Sequence, residues 1–325
     1  MTMRDRFNRE IDYLRISVTD NCNLRCIYCM EEESQEFLKS SEKITDEEII
    51  TIVKVCAKLG IKKIRLTGGE PLVRKGIVEL LKNINKVEGI EEIYMTTNGI
   101  LLADSIKELV ENGLKGVNIS LDSLREDTFS LITRRGNVAK VLEAIDKCIY
   151  YGIKVKINTV LVNEFNKNEI DSFLSLTIDK PIDVRFIELM PIGMGKRYTG
   201  VSNSEIMDIV KSKYNYIEEI GRLKNGGPAQ YIKIKNSKGR IGFISAVSNC
   251  FCEECNRIRI TADGFLKQCL HFNCGINLRD LIRDGISDEE LCSTIENTIF
   301  NKPEKHLFNK KNKNEEIKFM NEIGG

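Results

Sequence analysis

Short β-branched runs alternate with stretches of helical periodicity between residues 13 and 213, and this alternation restricts the possible fold most strongly. Strands that alternate with helices form βαβ units with parallel strands. The predicted strands are 14–19, 63–67, 93–97, 116–121, 155–160 and 184–189. The predicted helices are 46–59, which opens with a capping box of Thr45 and Glu48, 77–84, 105–111, 138–151, 167–176 and 204–213. Six units fit an incomplete (β/α)6 TIM-like barrel or a doubly wound sheet, and we predict the α/β barrel.

The pattern changes after residue 213. Three short runs, 216–220, 231–235 and 240–245, predict a strand meander, and stretches 278–284 and 288–300 predict two helices. We therefore expect two domains, a partial barrel over residues 1–213 and a smaller α+β domain over residues 214–325.

Charge and hydropathy exclude several classes of partner. The chain carries 49 basic and 48 acidic residues, a net charge of +1, so nothing drives it toward nucleic acid or an anionic membrane. It has no apolar run of the roughly 18 residues that a transmembrane helix needs, and no apolar segment typical of a signal peptide follows Met1. We expect a cytoplasmic protein. Its 11 cysteines, an odd number in a reducing compartment, favour metal binding over disulfides.

The first cysteine group comprises Cys22, Cys26 and Cys29, directly after the first predicted strand. Three thiolates within eight residues can hold one face of an iron–sulfur cluster, which usually takes four cysteines, and leave one iron open for a substrate or cofactor. A closed zinc site would need a fourth ligand nearby, and this segment offers none.

Polar residues recur at the carboxyl ends of the predicted strands, where barrels place their active sites. Two glycines, Gly68 and Gly69, allow backbone to approach a ligand closely, and Glu70 beside them could hold an ammonium group. Thr96, Ser120 and Glu188 follow the same pattern, Lys156 and Asn158 lie on the fifth predicted strand, and Met190 is close to Glu188. A single such residue is often a cap or a turn, so the recurrence carries the prediction.

A second cysteine group comprises Cys252, Cys255 and Cys269. On spacing alone it could bind structural zinc with a fourth ligand from Cys250, His271 or Cys274. Two arginines, Arg257 and Arg259, occupy alternate positions of a predicted strand, 257–261, and so point to one face. Paired guanidinium groups beside a metal centre are suited to a phosphate-bearing ligand.

The Cys-x3-Cys-x2-Cys spacing, with Tyr28 before the third cysteine, resembles the signature of the radical S-adenosylmethionine (SAM) superfamily. The resemblance implies that Cys22, Cys26 and Cys29 bind a [4Fe–4S] cluster and that SAM chelates the fourth iron. It implies reductive cleavage of SAM to a 5′-deoxyadenosyl radical. The SAM contacts that it implies are Tyr28, Gly68, Gly69, Glu70, Ser120 and Met190.

Nearly the whole chain resembles the GTP 3′,8-cyclase family, radical SAM lyases of molybdenum cofactor biosynthesis. The segments that carry this resemblance are 14–20, 65–71, 186–191, 255–264 and the terminal Gly324-Gly325. It implies a second [4Fe–4S] cluster on Cys252, Cys255 and Cys269, with an open iron for guanine. The implied GTP contacts are Arg15, Arg65, Thr96, Lys156, Arg257, Ile258 and Arg259. The implied catalytic residues are Arg257, Arg259, Lys156, Gly324 and Gly325.

The resemblance also implies a reaction and partners. The radical removes hydrogen from ribose C3′ of GTP, the C3′ radical adds to guanine C8, and a second electron with a proton quenches the product radical to give (8S)-3′,8-cyclo-7,8-dihydroguanosine 5′-triphosphate. The expected partners are reduced flavodoxin or ferredoxin, a downstream cyclic pyranopterin monophosphate synthase and a second copy of the chain. Two departures from the family pattern are Glu31, where proline is common, with an acidic run over 31–33, and the additional Cys250.

Two alternative functions remain open on sequence grounds. One is a radical SAM maturase that modifies a peptide with an auxiliary cluster, and the other is a zinc-dependent binding module fused to a barrel. Metal analysis separates the classes, because the enzymes need iron and sulfide whereas the module needs zinc.

Overall fold

A computed structural model describes residues 3–32, 36–223, 227–308 and 316–324. Within these ranges one sheet of 12 strands runs in the order β12-β11-β10-β1-β2-β3-β4-β5-β6-β9-β8-β7. The strands are β1 (Tyr13–Ser17), β2 (Lys63–Thr67), β3 (Glu92–Thr97), β4 (Leu114–Ser120), β5 (Lys154–Thr159), β6 (Asp183–Ile187), β7 (Ile217–Arg222), β8 (Gln230–Ile234), β9 (Ile241–Ile244), β10 (Arg257–Ile260), β11 (Phe265–Lys267) and β12 (Gly275–Asn277). The helices are α1 (Asp46–Lys58), α2 (Ile77–Asn85), α3 (Leu102–Glu111), α4 (Glu126–Thr133), α5 (Val138–Tyr150), α6 (Ile170–Asp179), α7 (Asn203–Lys213), α8 (Leu278–Arg283), α9 (Asp288–Phe300) and α10 (Met320–Ile323).

Strands β1 to β6 lie in chain order and pair in parallel, which confirms the partial TIM-like barrel. Alternate residues face opposite sides of each strand. Leu14 and Ile16 are fully buried in the core cluster that contains the apolar residues of the surrounding helices, whereas Arg15 between them faces the barrel interior. The structure adds α4, which the sequence analysis did not predict, and the predicted helix 167–176 begins as a 3-10 turn, Lys167–Glu169, before α6.

The strands that follow residue 213 extend both edges of the barrel sheet. At one edge β10 pairs in parallel with β1, and at the other β9 pairs in parallel with β6. Strands β7, β8 and β9 form the predicted antiparallel meander. The two parts of the chain therefore share one continuous sheet, and the domain division at residues 213 and 214 stays a prediction.

Two C-terminal helices pack against α1. The Arg283 guanidinium donates to Glu48 at 2.6 Å, and Leu291 and Ile295 of α9 belong to the same apolar core as α1. Glu48 also completes the predicted capping box, since its backbone N–H donates to the Thr45 hydroxyl at 3.2 Å. None of the helices in the described ranges has the length and apolar character needed to cross a membrane.

Candidate active site

The first thiol group lies on the loop that connects β1 to α1, at the carboxyl end of the barrel. Its backbone is held against the end of α4, because Arg25 and Ile27 donate N–H bonds to the carbonyls of Thr133 and Ile132, each at 3.0 Å. Cys29 donates its N–H to the Cys26 carbonyl at 2.9 Å, which closes a tight turn between the two thiols. The loop is thus ordered by protein contacts alone.

The environment of these thiols fits an iron–sulfur cluster. Burial raises the pKa of Cys22 to about 11 and of Cys29 to about 12, and the neighbouring thiols further raise the pKa of Cys26. Backbone N–H groups nevertheless point at the sulfurs: Leu24 donates to Cys22 at 3.4 Å, and Asn321 donates to Cys29. Buried thiolates with aimed donors need a positive partner, and cluster iron supplies one.

Gly68 and Gly69 join the loop after β2 to the loop that leads into Cys22. Gly69 donates to the Thr19 carbonyl and Glu70 to the Asn21 carbonyl, both at 2.8 Å. A Cβ on Gly69 would overlap the carbonyl oxygens of Asp20 and Asn21. Glycine is therefore required here for contact between two backbones.

The Glu70 carboxylate is fully buried and already bound within the protein. It accepts from the Thr97 hydroxyl at 2.7 Å, the Asn98 N–H at 2.7 Å and the Leu72 N–H at 3.0 Å. Burial raises its pKa to about 7 despite these donors. The Glu70 side chain holds the ends of β2 and β3 together. It is therefore the backbone of Gly68, Gly69 and Glu70 that could contact SAM.

Tyr28 connects the cluster loop to the far side of the barrel rim. Its buried hydroxyl donates to one Asp122 oxygen, and the other accepts from the Val160 N–H at 2.8 Å. Ser120 at the end of β4 and Met190 after β6 are half-buried on the same rim. The structure therefore groups the predicted SAM residues around one end of the barrel.

Three arginines form a row across neighbouring strands. Arg259 of β10, Arg15 of β1 and Arg65 of β2 occupy the same register, so they share the interior face. Arg65 donates to neutral partners, the Tyr13 hydroxyl, the Met95 carbonyl and the Thr96 hydroxyl. Burial, followed by repulsion from another arginine, lowers the pKa of Arg259 to about 10. Such a row is electrostatically suited to a polyanion.

Lys156 extends the positive interior to β5. Burial, with repulsion from Arg185, lowers its pKa to about 7, although Asp183 opposes the change. Arg185 of β6 is buried and donates to the Asn158 side chain, and the sequence analysis missed it. A charged residue inside a strand of otherwise apolar neighbours is the signal that could have found it.

The predicted GTP contact Ile258 lies elsewhere, because its side chain is in the apolar core on the opposite face of β10 and only its backbone could reach a ligand.

The second thiol group lies at the opposite end of the same strands. Cys255 immediately precedes β10, and β11 runs antiparallel to β10 and returns Cys269 to the same end. Although burial acts to raise it, Lys302 and Arg257 lower the pKa of Cys255 to about 6, and the Arg257 guanidinium lies 3.8 Å from its sulfur. The length of the five-residue strand β1, roughly 16 Å at about 3.3 Å per residue, lies between the loops that carry the two thiol groups.

The chain's C-terminal segment enters the space between the two thiol groups. The Arg259 guanidinium donates to the Gly324 carbonyl at 3.1 Å. Gly324 has φ +69°, and a Cβ there would lie 2.8 Å from Ser17 Cβ, so both conformation and space favour glycine. Gly325 lies outside the described residues.

A buried ion pair anchors this segment. Lys267 of β11 and Glu316 are each 1% exposed and form a salt bridge, and Lys267 also donates to the Phe272 carbonyl at 2.8 Å. Glu316 further donates its N–H to the His271 carbonyl at 2.8 Å. At the other end, the Asn321 amide donates to the Asp20 carbonyl at 3.2 Å. Residues 316–324 thus bridge β11 and the first thiol loop.

Two family models match the chain in succession. Residues 16–177 match the radical SAM superfamily, and residues 182–308 match Molybdenum Cofactor Synthesis C. The chain is 59% identical over 323 residues to a GTP 3′,8-cyclase of Clostridium perfringens strain 13, covering 99% of this chain and 100% of the relative. It is 46% identical over 308 residues to a GTP 3′,8-cyclase of Pelotomaculum thermopropionicum, covering 94% and 95%.

Solved structures share the fold at low sequence identity. Streptococcus suis SuiB bound to S-adenosylmethionine aligns with a TM-score of 0.63 and 15% identity, covering 88% of this chain and 69% of SuiB. Native anSMEcpe with bound AdoMet aligns with a TM-score of 0.57 and 19% identity, covering 89% and 82%. These likenesses support the barrel and its extension beyond residue 213.

We predict that Gly69→Ala prevents assembly of the first cluster, because the added methyl group forces apart the two loops that hold Cys22. The measurement is the SAM-dependent change in the electron paramagnetic resonance signal of the reduced cluster. Gly152→Ala is the control: its φ of +70° strains an alanine, but its Cβ meets no atom within 4 Å, so it should keep the signal. A full signal from Gly69→Ala would contradict the packing argument.

We predict that Glu316→Ala releases the C-terminal segment, because Lys267 is left charged and buried at a cost of about 3–5 kcal/mol. Limited trypsin digestion should cleave faster after Lys318, and the melting temperature should fall. Glu79→Ala, which removes an exposed ion pair with Lys82, should change neither the cleavage rate after Lys318 nor the melting temperature. The double variant Lys267→Met, Glu316→Leu should restore resistance; unchanged digestion of Glu316→Ala would argue against the anchor.

Proposed function

The chain belongs to the GTP 3′,8-cyclase family, and from this premise we propose how its barrel interior binds and converts GTP. The enzyme catalyses the radical SAM cyclisation of GTP to (8S)-3′,8-cyclo-7,8-dihydroguanosine 5′-triphosphate, the first step of molybdenum cofactor biosynthesis. The full-length match to cyclases decides against the peptide-modifying maturase and the zinc-dependent module.

One observation carries the assignment of residues: a row of arginines lies between two thiol groups at opposite ends of β1 and β10. GTP lies in this space, with its triphosphate against the guanidinium groups and its guanine toward the second thiol group. Guanidinium groups bind phosphate oxygens through paired, charge-assisted hydrogen bonds. The row therefore supports a triphosphate substrate.

We assign the family's [4Fe–4S] cluster to Cys22, Cys26 and Cys29 and a second [4Fe–4S] cluster to Cys252, Cys255 and Cys269. When bound, the first cluster and SAM supply the 5′-deoxyadenosyl radical that removes hydrogen from ribose C3′. The donors at Cys22 and Cys29 stabilise the thiolates, and Arg257 does so at Cys255. The lowered pKa of Cys255 supports a thiolate at neutral pH.

The chain's own residues position the substrate rather than exchange protons with it. Arg15, Arg65, Lys156 and Arg257 neutralise the triphosphate, and Arg259 contacts both the substrate and the Gly324 carbonyl. Residues 316–324 cover the interior and exclude water, which protects a radical from side reactions. Holding C3′ close to C8 is the main contribution, since a fixed geometry removes the entropy cost of the ring closure.

We also infer the partners and the location. A one-electron reduction at the first cluster requires a low-potential donor, and reduced flavodoxin or ferredoxin fits this need. The cyclised nucleotide passes to a cyclic pyranopterin monophosphate synthase. The enzyme acts in the cytoplasm, and it forms a homodimer.

We predict that Arg257→Ala abolishes cyclisation, with at least a 100-fold loss in kcat/KM, because about 3 kcal/mol of charged hydrogen bonding is lost. The anaerobically reconstituted enzyme receives SAM, reductant and GTP, and mass spectrometry follows 5′-deoxyadenosine and an isomer of GTP. Wild type should form both. Iron and sulfide content should be equal in the two proteins.

The exposed Arg125→Ala is the matched control and should keep wild-type turnover. Unchanged turnover of Arg257→Ala would refute its assigned role. If the wild-type enzyme formed 5′-deoxyadenosine but no isomer of GTP, the proposal that GTP is the substrate would be wrong.

We predict that GTP affinity falls as pH rises above 7, because the Lys156 ammonium, whose pKa is about 7, loses its charge. The change should be about tenfold between pH 6.5 and pH 8.5, the value of one ordinary charged hydrogen bond. Isothermal titration calorimetry in the absence of SAM measures the GTP affinity at each pH. Ionisation of the γ-phosphate acts in the opposite direction, so the wild-type curve is compared with Lys156→Met; identical slopes would contradict the prediction.

A further inference from the structure

A thiol and imidazole group lies beside the second thiol group. The ligand atoms of Cys250, Cys252 and His306 all lie within 4.8 Å of one another. Cys252 is buried, His306 is half-buried and Cys250 is exposed. Neither Cys250 nor His306 has a role in the proposed reaction.

The spacing of these atoms suits one ion rather than a cluster. With metal–sulfur bonds of about 2.3 Å and metal–nitrogen bonds of about 2.0 Å, the ligand atoms of a tetrahedral ion lie roughly 3.5–3.8 Å apart. The three ligand atoms of this group, all within 4.8 Å of one another, lie near that spacing. Cluster cysteines bind different irons and lie further apart. Among the residues that the structure describes, this group is the one set of three or more potential metal ligands so closely spaced.

Protein contacts hold the two ligating segments together. The buried Arg9 guanidinium donates to the Cys252 carbonyl at 2.8 Å and to the Glu304 carbonyl at 2.7 Å, while Asp5 fixes its other edge. The backbone N–H of His306 donates to the Cys252 sulfur at 3.5 Å, and the His306 ring packs on Phe308. These contacts hold Cys252 and His306 in place before an ion binds, which reduces the entropy cost of binding.

We propose that Cys250, Cys252 and His306 form a site for a single divalent cation that zinc occupies, with water as the fourth ligand. Two thiolates and an imidazole are the ligand set that Zn²⁺ prefers, and the exposed side at Cys250 admits the water. Binding forms two metal–sulfur bonds and one metal–nitrogen bond and releases two thiol protons, with no change in oxidation state.

The site excludes the second cluster, because Cys252 belongs to both ligand sets. A chain that has bound zinc therefore cannot complete the second cluster until the ion leaves. This consequence rests on the proposed function only for the place of Cys252 in the cluster. The ion site itself stands on the geometry of the three side chains.

The first experiment titrates Co²⁺, a spectroscopic substitute for Zn²⁺, into the full-length chain without clusters, under anaerobic conditions. Cys22→Ser, Cys26→Ser and Cys29→Ser in the background remove the first thiol group. We expect one Co²⁺ per chain, with thiolate-to-cobalt charge transfer and the visible bands of a tetrahedral ion. Cys250→Ser and His306→Asn should each weaken binding at least tenfold.

Cys274→Ser is the matched control and should bind as the background does. Cys255→Ser and Cys269→Ser should also retain the ion, which distinguishes this site from a zinc site on the second cluster's own cysteines. Dependence on Cys255 and Cys269 in place of Cys250 and His306, or no thiolate-bound Co²⁺, would overturn the proposal. Circular dichroism melting shows that each variant is folded, and the exposed position of Cys250 makes Cys250→Ser the safer test.

The second experiment loads the wild-type chain with one equivalent of Zn²⁺ before reconstitution with iron and sulfide. We expect iron per chain to fall to about half, and Cys250→Ser to take up full iron under the same treatment. Equal inhibition of both proteins would refute the competition. Neither readout requires GTP or SAM, so failure here leaves the cyclase assignment intact, and failure of cyclisation leaves the ion site intact.

Discussion

The parallel pairing of β10 with β1 is the contact on which the rest of the site depends. It aligns Arg257 with Tyr13 and Arg259 with Arg15, so guanidinium groups from two distant segments share one interior face. It also sets the two thiol groups at opposite ends of the same strand pair, because Cys22 follows β1 whereas Cys255 precedes β10. A ligand in the space between the two thiol groups can therefore be reached from both ends.

Burying several like charges in one barrel costs electrostatic free energy. Burial, followed by repulsion from Arg257, accordingly lowers the pKa of Arg259. Around Arg65 the structure supplies neutral acceptors, a hydroxyl and a carbonyl among them, rather than carboxylates. The Arg65 guanidinium is therefore held in place by neutral groups. A bound polyanion reduces the repulsion between the guanidinium groups. This reduction contributes to the binding free energy of a triphosphate.

Residues 316–324 connect the two halves of the site. The Lys267–Glu316 pair fixes one end in the C-terminal part of the sheet, while Asn321 contacts the loop of the first thiol group. Gly324 then meets Arg259 between them. Because one short segment contacts β11, the first thiol loop and Arg259, its position is coupled to the geometry of the barrel interior.

The six βα units, the capped start of α1 and the three thiols after β1 were predictable from local sequence, because each is encoded within a few neighbouring residues as a period, a cap or a spacing. Motif resemblance supplied the second ligand set and the arginines. Local patterns did not predict that the C-terminal strands extend the barrel sheet at both edges, that Ile258 lies in the core, that Arg185 faces the interior or that His306 approaches Cys252. The physical reason is distance along the chain: Asn256 bonds to Asp12 across 244 residues, and no local pattern reports which strands will share hydrogen bonds.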